Sequence, residues 1–309
     1  MKFVSLHSHS TYSYMDGFAL PEVHVKRVAE LGMSALALTE HGNVSSHVKL
    51  ELAAAKEGIK PIFGLEAYTA PADMRETKNL RKWHQTIVAM NHEGYQNLNR
   101  LVTRSWDEGF YRWPTVTGPM LKDLHRGLIV TSGCSDSLVN CSLLGGKGIE
   151  EADAGESRAI GVIRRYKRLL GDRYYLEVQR FPELERTRTL NAWLAQASKR
   201  TGVPLVATAD VHYPFGEDNQ MQKILHAAGR NTGTVAAAEA GWEYDILLTY
   251  PTSDQQIREQ LMGTGLSRSQ AEGAIENTSV IAGRCNVEIP KMERVRFPGT
   301  IRDMEAEWG

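Results

Sequence analysis

Phe3-Val4-Ser5-Leu6-His7-Ser8-His9 opens the chain with a short apolar run that ends in two histidines. On an extended strand, residues i and i+2 project from one face, so His7 and His9 present their imidazoles together. The arrangement returns where Pro204-Leu205-Val206-Ala207-Thr208-Ala209 runs into Asp210-Val211-His212. Between them, other metal-binding side chains follow apolar runs: His41 in Thr39-Glu40-His41-Gly42, Glu66 in Gly64-Leu65-Glu66, and Cys134 in Gly133-Cys134. Asp16 and His84 bring the candidate ligands to nine, too many for a single ion. An ionised carboxylate such as Glu66 behind an apolar run must be paired or bound to metal.

Working outward, the pattern predicts strands over Phe3–Leu6, Ala35–Leu38, Pro61–Tyr68, His84–Met90, Leu128–Thr131, Tyr174–Gln179 and Pro204–Ala209. Helical patterns intervene at Pro21–Leu31, Ser45–Lys56, Gly94–Trp106, after Ser135, at Gly155–Leu170 and at Glu183–Lys199. Alternation of this kind implies parallel strands covered by helices. Seven such units favour a closed or nearly closed α/β barrel over an open sheet. Most candidate ligands then fall at the C-terminal ends of strands, where α/β barrels place their chemistry. His84 starts its run instead, which requires a shifted boundary or a chain that folds back over Thr69–Trp83. Beyond residue 219 the chain reads as mostly helical, with Gln270–Cys285 as one more helix, and Glu288–Pro298 reads as extended. The expected division is a barrel domain over 1–285 and an exit tail over 286–309. Gly145-Gly146-Lys147-Gly148 lacks the GxxxxGK[ST] spacing of a phosphate loop and reads as a surface turn.

With 42% apolar and 24% charged residues, the 309-residue chain can bury a full core. Its net charge of −1 means that nucleic-acid contact must come from a local basic patch or from metals offsetting phosphate charge. Cys134, Cys141 and Cys285 form neither a disulfide framework nor a CxxC zinc ribbon, and suit a reducing, cytoplasmic setting. The opening residues are too short for a signal peptide, and no apolar run reaches the roughly 18 residues of a membrane span.

The run His7-Ser8-His9-Ser10-Thr11-Tyr12-Ser13-Tyr14-Met15-Asp16-Gly17 resembles the polymerase and histidinol phosphatase (PHP) family, and specifically its bacterial DNA polymerase III alpha branch. Thr39–Gly42, Gly64–Tyr68, Asn91–Leu98, Thr131–Cys134, Tyr175–Arg180 and Val206–Tyr213 carry the same resemblance, which extends over residues 1–298. It implies a distorted (βα)7 TIM-like barrel with a site for three divalent ions, zinc, manganese or iron. By that resemblance His7, His9, Glu66 and Asp210 hold one ion, and Glu66 bridges to a second held by His84 and Cys134. Asp16, His41 and His212 hold the third. Two departures stand out: the family's Lys-Pro-Arg motif is absent around Gly109–Thr117, and Ser135-Asp136-Ser137 follows Cys134. No polymerase palm follows, so the chain is expected to be either a domain of a polymerase or a free-standing relative.

The chemistry expected is phosphodiester hydrolysis, most specifically a proofreading 3′→5′ exonuclease, in which metal-activated water attacks and Asp16, His41, Glu66, Asp210 and His212 carry catalysis. The expected partners are a DNA 3′ end and a replicative polymerase in cis or in trans. Arg180 is the expected phosphate contact, with Arg81, Lys82 and Arg112 along a strand path and Trp83, Tyr111 and Trp113 as stacking platforms. The alternatives are a phosphomonoesterase acting on a small metabolite and a non-catalytic module supporting a polymerase. Ser8, Ser10, Thr39 and Ser132 lack a Gly-x-Ser-x-Gly elbow, which disfavours a serine nucleophile. His24, His47, His92, His125 and His226 have no partner at ligand spacing and read as packing or surface histidines.

Overall fold

Leu6 and His7 decide how the chain enters the barrel. Val4 and Leu6 join an apolar cluster with Ala35, Ala37, Ile62, Val88, Ile129, Tyr175 and Val206, yet the candidate ligands that follow are His7 and His9. The inward alternation therefore changes phase between Leu6 and His7, which breaks regular strand pairing. The computed structural model, which describes residues 1–70, 82–229, 234–236 and 246–291, accordingly has no continuous strand over Phe3–Leu6. Isolated parallel bridges, Ser5 to Leu36 and Ser8 to Val211, replace it.

The strands are β1 (Ala35–Leu38), β2 (Lys60–Ala70), β3 (Trp83–Ala89), β4 (Phe110–Tyr111), β5 (Trp113–Thr117), β6 (Leu128–Thr131), β7 (Tyr174–Gln179) and β8 (Leu205–Thr208). Pairing runs β1-β2-β3-β6-β7-β8, and the bridged N-terminal segment joins β1 to the residues after β8. The result is a seven-membered, distorted α/β barrel.

It is not all parallel. β3 runs antiparallel to both β2 and β6, so its N-terminal end lies beside the C-terminal ends of its neighbours. This reversal accounts for His84, whose partner across the ladder is Tyr68. The hairpin β4–β5, absent from the sequence expectation, pairs with the far end of β2 through Tyr68–Ala70.

Period-two alternation then sorts each strand. On β1, Leu36 and Leu38 face the helical layer while Ala35 and Ala37 face the barrel axis. The α-helices among the described residues are α1 (Pro21–Glu30), α2 (His47–Glu57), α3 (His92–Asp107), α4 (Gly118–Leu124), α5 (Leu138–Leu144), α6 (Glu156–Leu170), α7 (Glu185–Thr201), α8 (Asn219–Gly229), α9 (Asp254–Gly263) and α10 (Arg268–Arg284). Of these, α4 was not legible in the pattern. The lower mouth is plugged by α10: Ile281, Ala282 and Cys285 join the axial cluster, and Thr278 Oγ1 accepts the Val4 amide at 2.9 Å. Asp254 at the start of α9 accepts the Lys2 and Phe3 amides. The segment from α9 to Cys285 therefore completes the barrel. The start of the expected tail also docks, with the Asn286 amide on Met90 O and the Ile289 amide on Glu51 Oε1; residues 292–309 lie outside the described residues. All three cysteines are free and buried.

One close approach fixes the α3 entrance. Asn91 caps α3 by accepting the Gly94 amide, and a Cβ at Gly94 would lie 1.8 Å from Gly127 O. Gly94→Ala should therefore destabilise the barrel by about 1–3 kcal/mol, the cost of overpacking, measured as a lower denaturation midpoint in urea.

Candidate metal centre

The axial alternation that is apolar at the bottom of the barrel becomes polar at the top. Ile62 gives way to Glu66 on β2, Val88 to Thr86 and His84 on β3, Tyr175 to Glu177 on β7, and Val206 to Thr208 and Asp210 after β8. His7 and His9 are fully buried and Glu66 is 2% exposed. Gly17 allows the Asp16 loop to close, because a Cβ there would meet Ser10 O at 2.2 Å. Asp210 adopts φ 46° and Met15 φ 62°, a left-handed strain that concentrates at functional sites.

Seven of the nine candidate ligands, Asp16, His41, Glu66, His84, Cys134, Asp210 and His212, line one cavity of about 330 Å³, and His7 and His9 are buried behind Glu66 and Asp210. Phe181, Leu184, Ile246 and Leu248 form the cavity's apolar wall. Glu66 lies at the centre. Its carboxylate is 3.3 Å from His7 Nε2, His9 Nε2 and His84 Nδ1, and 2.8 Å from His41 Nδ1. Asp210 Oδ1 is 3.4 Å from His7 Nε2 and 3.7 Å from His9 Nε2. Asp16 Oδ2 lies 2.8 Å from His41 and 3.2 Å from His212. Cys134 Sγ is 3.6 Å from His84 Nδ1.

These spacings can be tested against a cation. Ligand atoms sharing one ion at about 2.0–2.1 Å stand roughly 3–3.5 Å apart, as the His7, His9, Glu66 and Asp210 atoms nearly do. His7 Nε2, His9 Nε2 and Glu66 Oε1 are buried without a hydrogen-bond partner among the described residues, a costly state that a cation would relieve. Three groups, His7-His9-Glu66, His41-Glu66-His84 and His9-His41-His212, each bring potential ligand atoms within 4.8 Å of one another. The donor set fits divalent metal.

The opposite ring nitrogens are occupied in a way that frees these lone pairs. His7 Nδ1 donates to Glu177 Oε1 at 2.7 Å. Ser13 Oγ donates to Glu40, so it accepts from His9 Nδ1 at 2.8 Å. His212 Nδ1 donates to Asp210 O at 2.9 Å. Outer partners of this kind fix the tautomer and raise ligand basicity. Sequence reasoning assigned Glu177 no role. It is buried among donors from Thr86, Thr131 and Thr208 as well as His7, and its signal was available: a carboxylate inside Tyr-Leu-Glu-Val. His226 was read as packing, yet its Nε2 is 2.8 Å from Asp16 Oδ1. Nothing in sequence spacing announces that contact, which depends on how α8 folds back.

Protein groups alone set strong shifts. Burial would raise Glu66 and Asp16, but His41, His7 and His84 hold Glu66 well below the carboxylate range, and His212, His226 and His41 do the same for Asp16. Burial opposes protonation of His212, yet the Asp16 carboxylate lifts it to about 9. His7 and His41 are likewise raised, despite burial, by their carboxylate neighbours. Burial, then Glu66 and Asp210, push the Cys134 thiol up.

The expected substrate contacts fare differently. Arg180 is 4% exposed and donates to Gln260 Oε1 and to the carbonyls of Leu247 and Thr249. It anchors the loop behind the cavity and is not presented to a phosphate. Trp83 is buried and packs with Cys141 and Ile149, which removes it as a stacking platform. Arg112 is exposed at the β4–β5 turn, above the Tyr111 ring. Arg81 lies outside the described residues. The Gly-rich segment is a turn, as expected, with Gly146 bridged to Ile149.

Residues 5–181 match the PHP domain family. The chain belongs to that family. Its PHP relatives include DNA polymerase III subunit alpha of Borreliella burgdorferi, 33% identical over 304 residues, covering 97% of this chain and 24% of the relative. The corresponding subunit of Treponema pallidum is 34% identical over 296 residues, covering 94% of this chain and 24% of the relative. The chain thus spans about a quarter of the length of the curated relatives it matches. Among solved structures it is similar to an amidohydrolase from Chromobacterium violaceum, with TM-score 0.42, 16% identity, and coverage of 70% of this chain and 89% of that one. It is also similar to histidinol phosphate phosphatase from Lactococcus lactis, with TM-score 0.39, 15% identity, and coverage of 78% and 95%. Among the described residues, no helix is long and apolar enough to cross a membrane.

Two outcomes follow for this PHP centre. Glu177→Gln should lower divalent-metal affinity about 10–100-fold, measured by titration calorimetry with manganese. His212 has a folded pKa raised to about 9 from about 6.5 unfolded, so its stabilisation is full below about pH 6.5 and is lost as pH rises through about 9. His7 and His41 act with the same sign. Chelated protein should therefore lose thermal stability over that window, whereas metal affinity should rise as imidazole protons leave. Thermal melts with chelator and with manganese at both ends of the window check this.

Proposed function

We propose that this PHP domain is a metal-dependent phosphodiesterase that removes nucleotides from a DNA 3′ end, a 3′→5′ exonuclease of the proofreading type. The observation that carries the reading is the convergence of the buried His7 Nε2, His9 Nε2 and Glu66 carboxylate at coordination spacing, with no hydrogen bond made by His7 Nε2, His9 Nε2 or Glu66 Oε1 among the described residues, behind a cavity lined by the other candidate ligands. His7, His9, Glu66 and Asp210 would hold one ion, Glu66, His84 and Cys134 a second, and Asp16, His41 and His212 a third, drawn from zinc, manganese or iron. Bound divalent ions supply Lewis-acid stabilisation of phosphate charge and acidify coordinated water.

The chain's own residues do the rest. Glu66 and Asp16 stay ionised across the physiological range because imidazoles surround them, so both present charge to cations without proton competition. Gln179 Nε2 donates to Asp210 Oδ2 at 2.9 Å and leaves Oδ1 turned toward His7 and His9. His226 and Gln222 hold the outer oxygen of Asp16 and direct the inner one at His41 and His212. Phe181, Ile246 and Leu248 exclude water from one side. Similarity to polymerase subunits supports DNA as the substrate and a replicative polymerase, in cis or in trans, as the partner.

The test is incubation with manganese and a 3′-mismatched primer-template, beside a small phosphomonoester. Stepwise loss of 3′ nucleotides is expected. It should fall at least about 100-fold in Asp16→Ala and Asp210→Asn, beyond the effect of an outer-shell change. Turnover of the monoester with an intact primer would overturn the reading.

A further inference from the structure

With Arg180 committed to its loop, the metal cavity needs another means of holding a strand, and a neighbouring cleft offers one. Tyr68, Lys82, His84, Trp113 and Lys147 line an open cleft of about 340 Å³. His84 lines both this cleft and the metal cavity. A chain of rings leads outward from the metal ligands. His41 stacks on Tyr68 at 5.5 Å and 16°, His84 meets Tyr68 edge-on at 5.3 Å, and Tyr68 contacts Trp113 at 5.2 Å. Trp113 ends the chain with 52% of its surface exposed.

The hairpin bearing Trp113 is tied to the centre. Pro114 packs where a Cβ on Gly42 would lie, 2.6 Å away, and Trp106 Nε1 donates to Gly42 O at 3.0 Å, one residue beyond His41. Opposite stands the Gly-rich turn, whose non-glycine Lys147 is held at φ 48°. Such strain persists only where the surroundings impose it. Here Lys147 Nζ pairs with Asp136 at 2.8 Å, and Asp136 O accepts the His84 amide at 3.3 Å. The ammonium is thereby fixed relative to a metal ligand.

We propose that this cleft is a subsite for one nucleotide of a single DNA strand, its base stacked on Trp113 and its phosphate paired with Lys147. The proposal rests on the phosphodiesterase reading only for placing the scissile bond at the adjacent metal cavity. Stacking on an aromatic platform is sequence-tolerant, since every base has a π-face. The subsite therefore selects strands over small phosphomonoesters without selecting sequence.

The test is fluorescence anisotropy of a labelled, hydrolysis-resistant phosphorothioate oligothymidylate on the whole chain with manganese, at several salt concentrations. Trp113→Ala should weaken binding roughly tenfold, and Trp113→Phe should restore most of it. Lys147→Ala should weaken binding and reduce the slope of log affinity on log salt by about 0.7, one phosphate contact on a single strand. Manganese affinity of Trp113→Ala and Lys147→Ala, measured by titration calorimetry, should match the parent, which separates loss of the subsite from damage to the metal centre. Parental affinity and salt slope in both Trp113→Ala and Lys147→Ala would overturn the subsite, even if the parent degrades DNA. Binding that depends on both residues, by a parent that leaves an unmodified strand intact, would retain the subsite and remove the exonuclease reading. A parent that binds no oligonucleotide removes both.

Discussion

The Glu66 carboxylate constrains everything around it. It is buried at the top of the barrel axis, where an uncompensated charge would cost several kcal/mol, and imidazoles from separate segments approach it: His7, His9, His41 and His84. Those segments are the N-terminal entry, the end of β1 and the start of β3. Closing the barrel and assembling the centre are therefore one event. The reversed direction of β3 follows the same requirement, because it delivers His84 to the end of the barrel where Glu66 sits.

Two further buried carboxylates support this one from outside. Glu177 is held below its ordinary range, against burial, by His7 and threonine hydroxyls. Glu40 is pushed up by burial despite donors from Ser10 and Ser13. Both sit behind a histidine, Glu177 directly and Glu40 through Ser13, so a polar layer separates the apolar axis from the ligands. Neither faces the cavity. Their work is orientation, and it makes the ring nitrogens opposite them available.

Much of this was legible in the chain. Apolar runs ending in His-x-His, Glu, Cys and Asp-x-His marked strand ends, since period-two alternation and strand termini leave local traces. What was illegible depended on long-range packing. The phase change at Leu6–His7 hid behind a run that looks like an ordinary strand. The β4–β5 hairpin is anchored by pairing with β2 rather than by a turn signature. Arg180 and Trp83 have the composition of nucleic-acid contacts, but their burial is decided by the 246–250 loop and by α5, far away in sequence. His226 reaches Asp16 across 210 residues, and no spacing rule spans that distance.

The central claim is that the convergent side chains form a multi-metal centre organised by Glu66. Its most direct test is metal stoichiometry by elemental analysis of the protein equilibrated with manganese or zinc and then freed of unbound ion. The account predicts about three ions per chain, with loss of more than one when Glu66 is changed to Gln, since in the proposed assignment its carboxylate would serve two sites. Fewer than two ions per chain in the parent would contradict it.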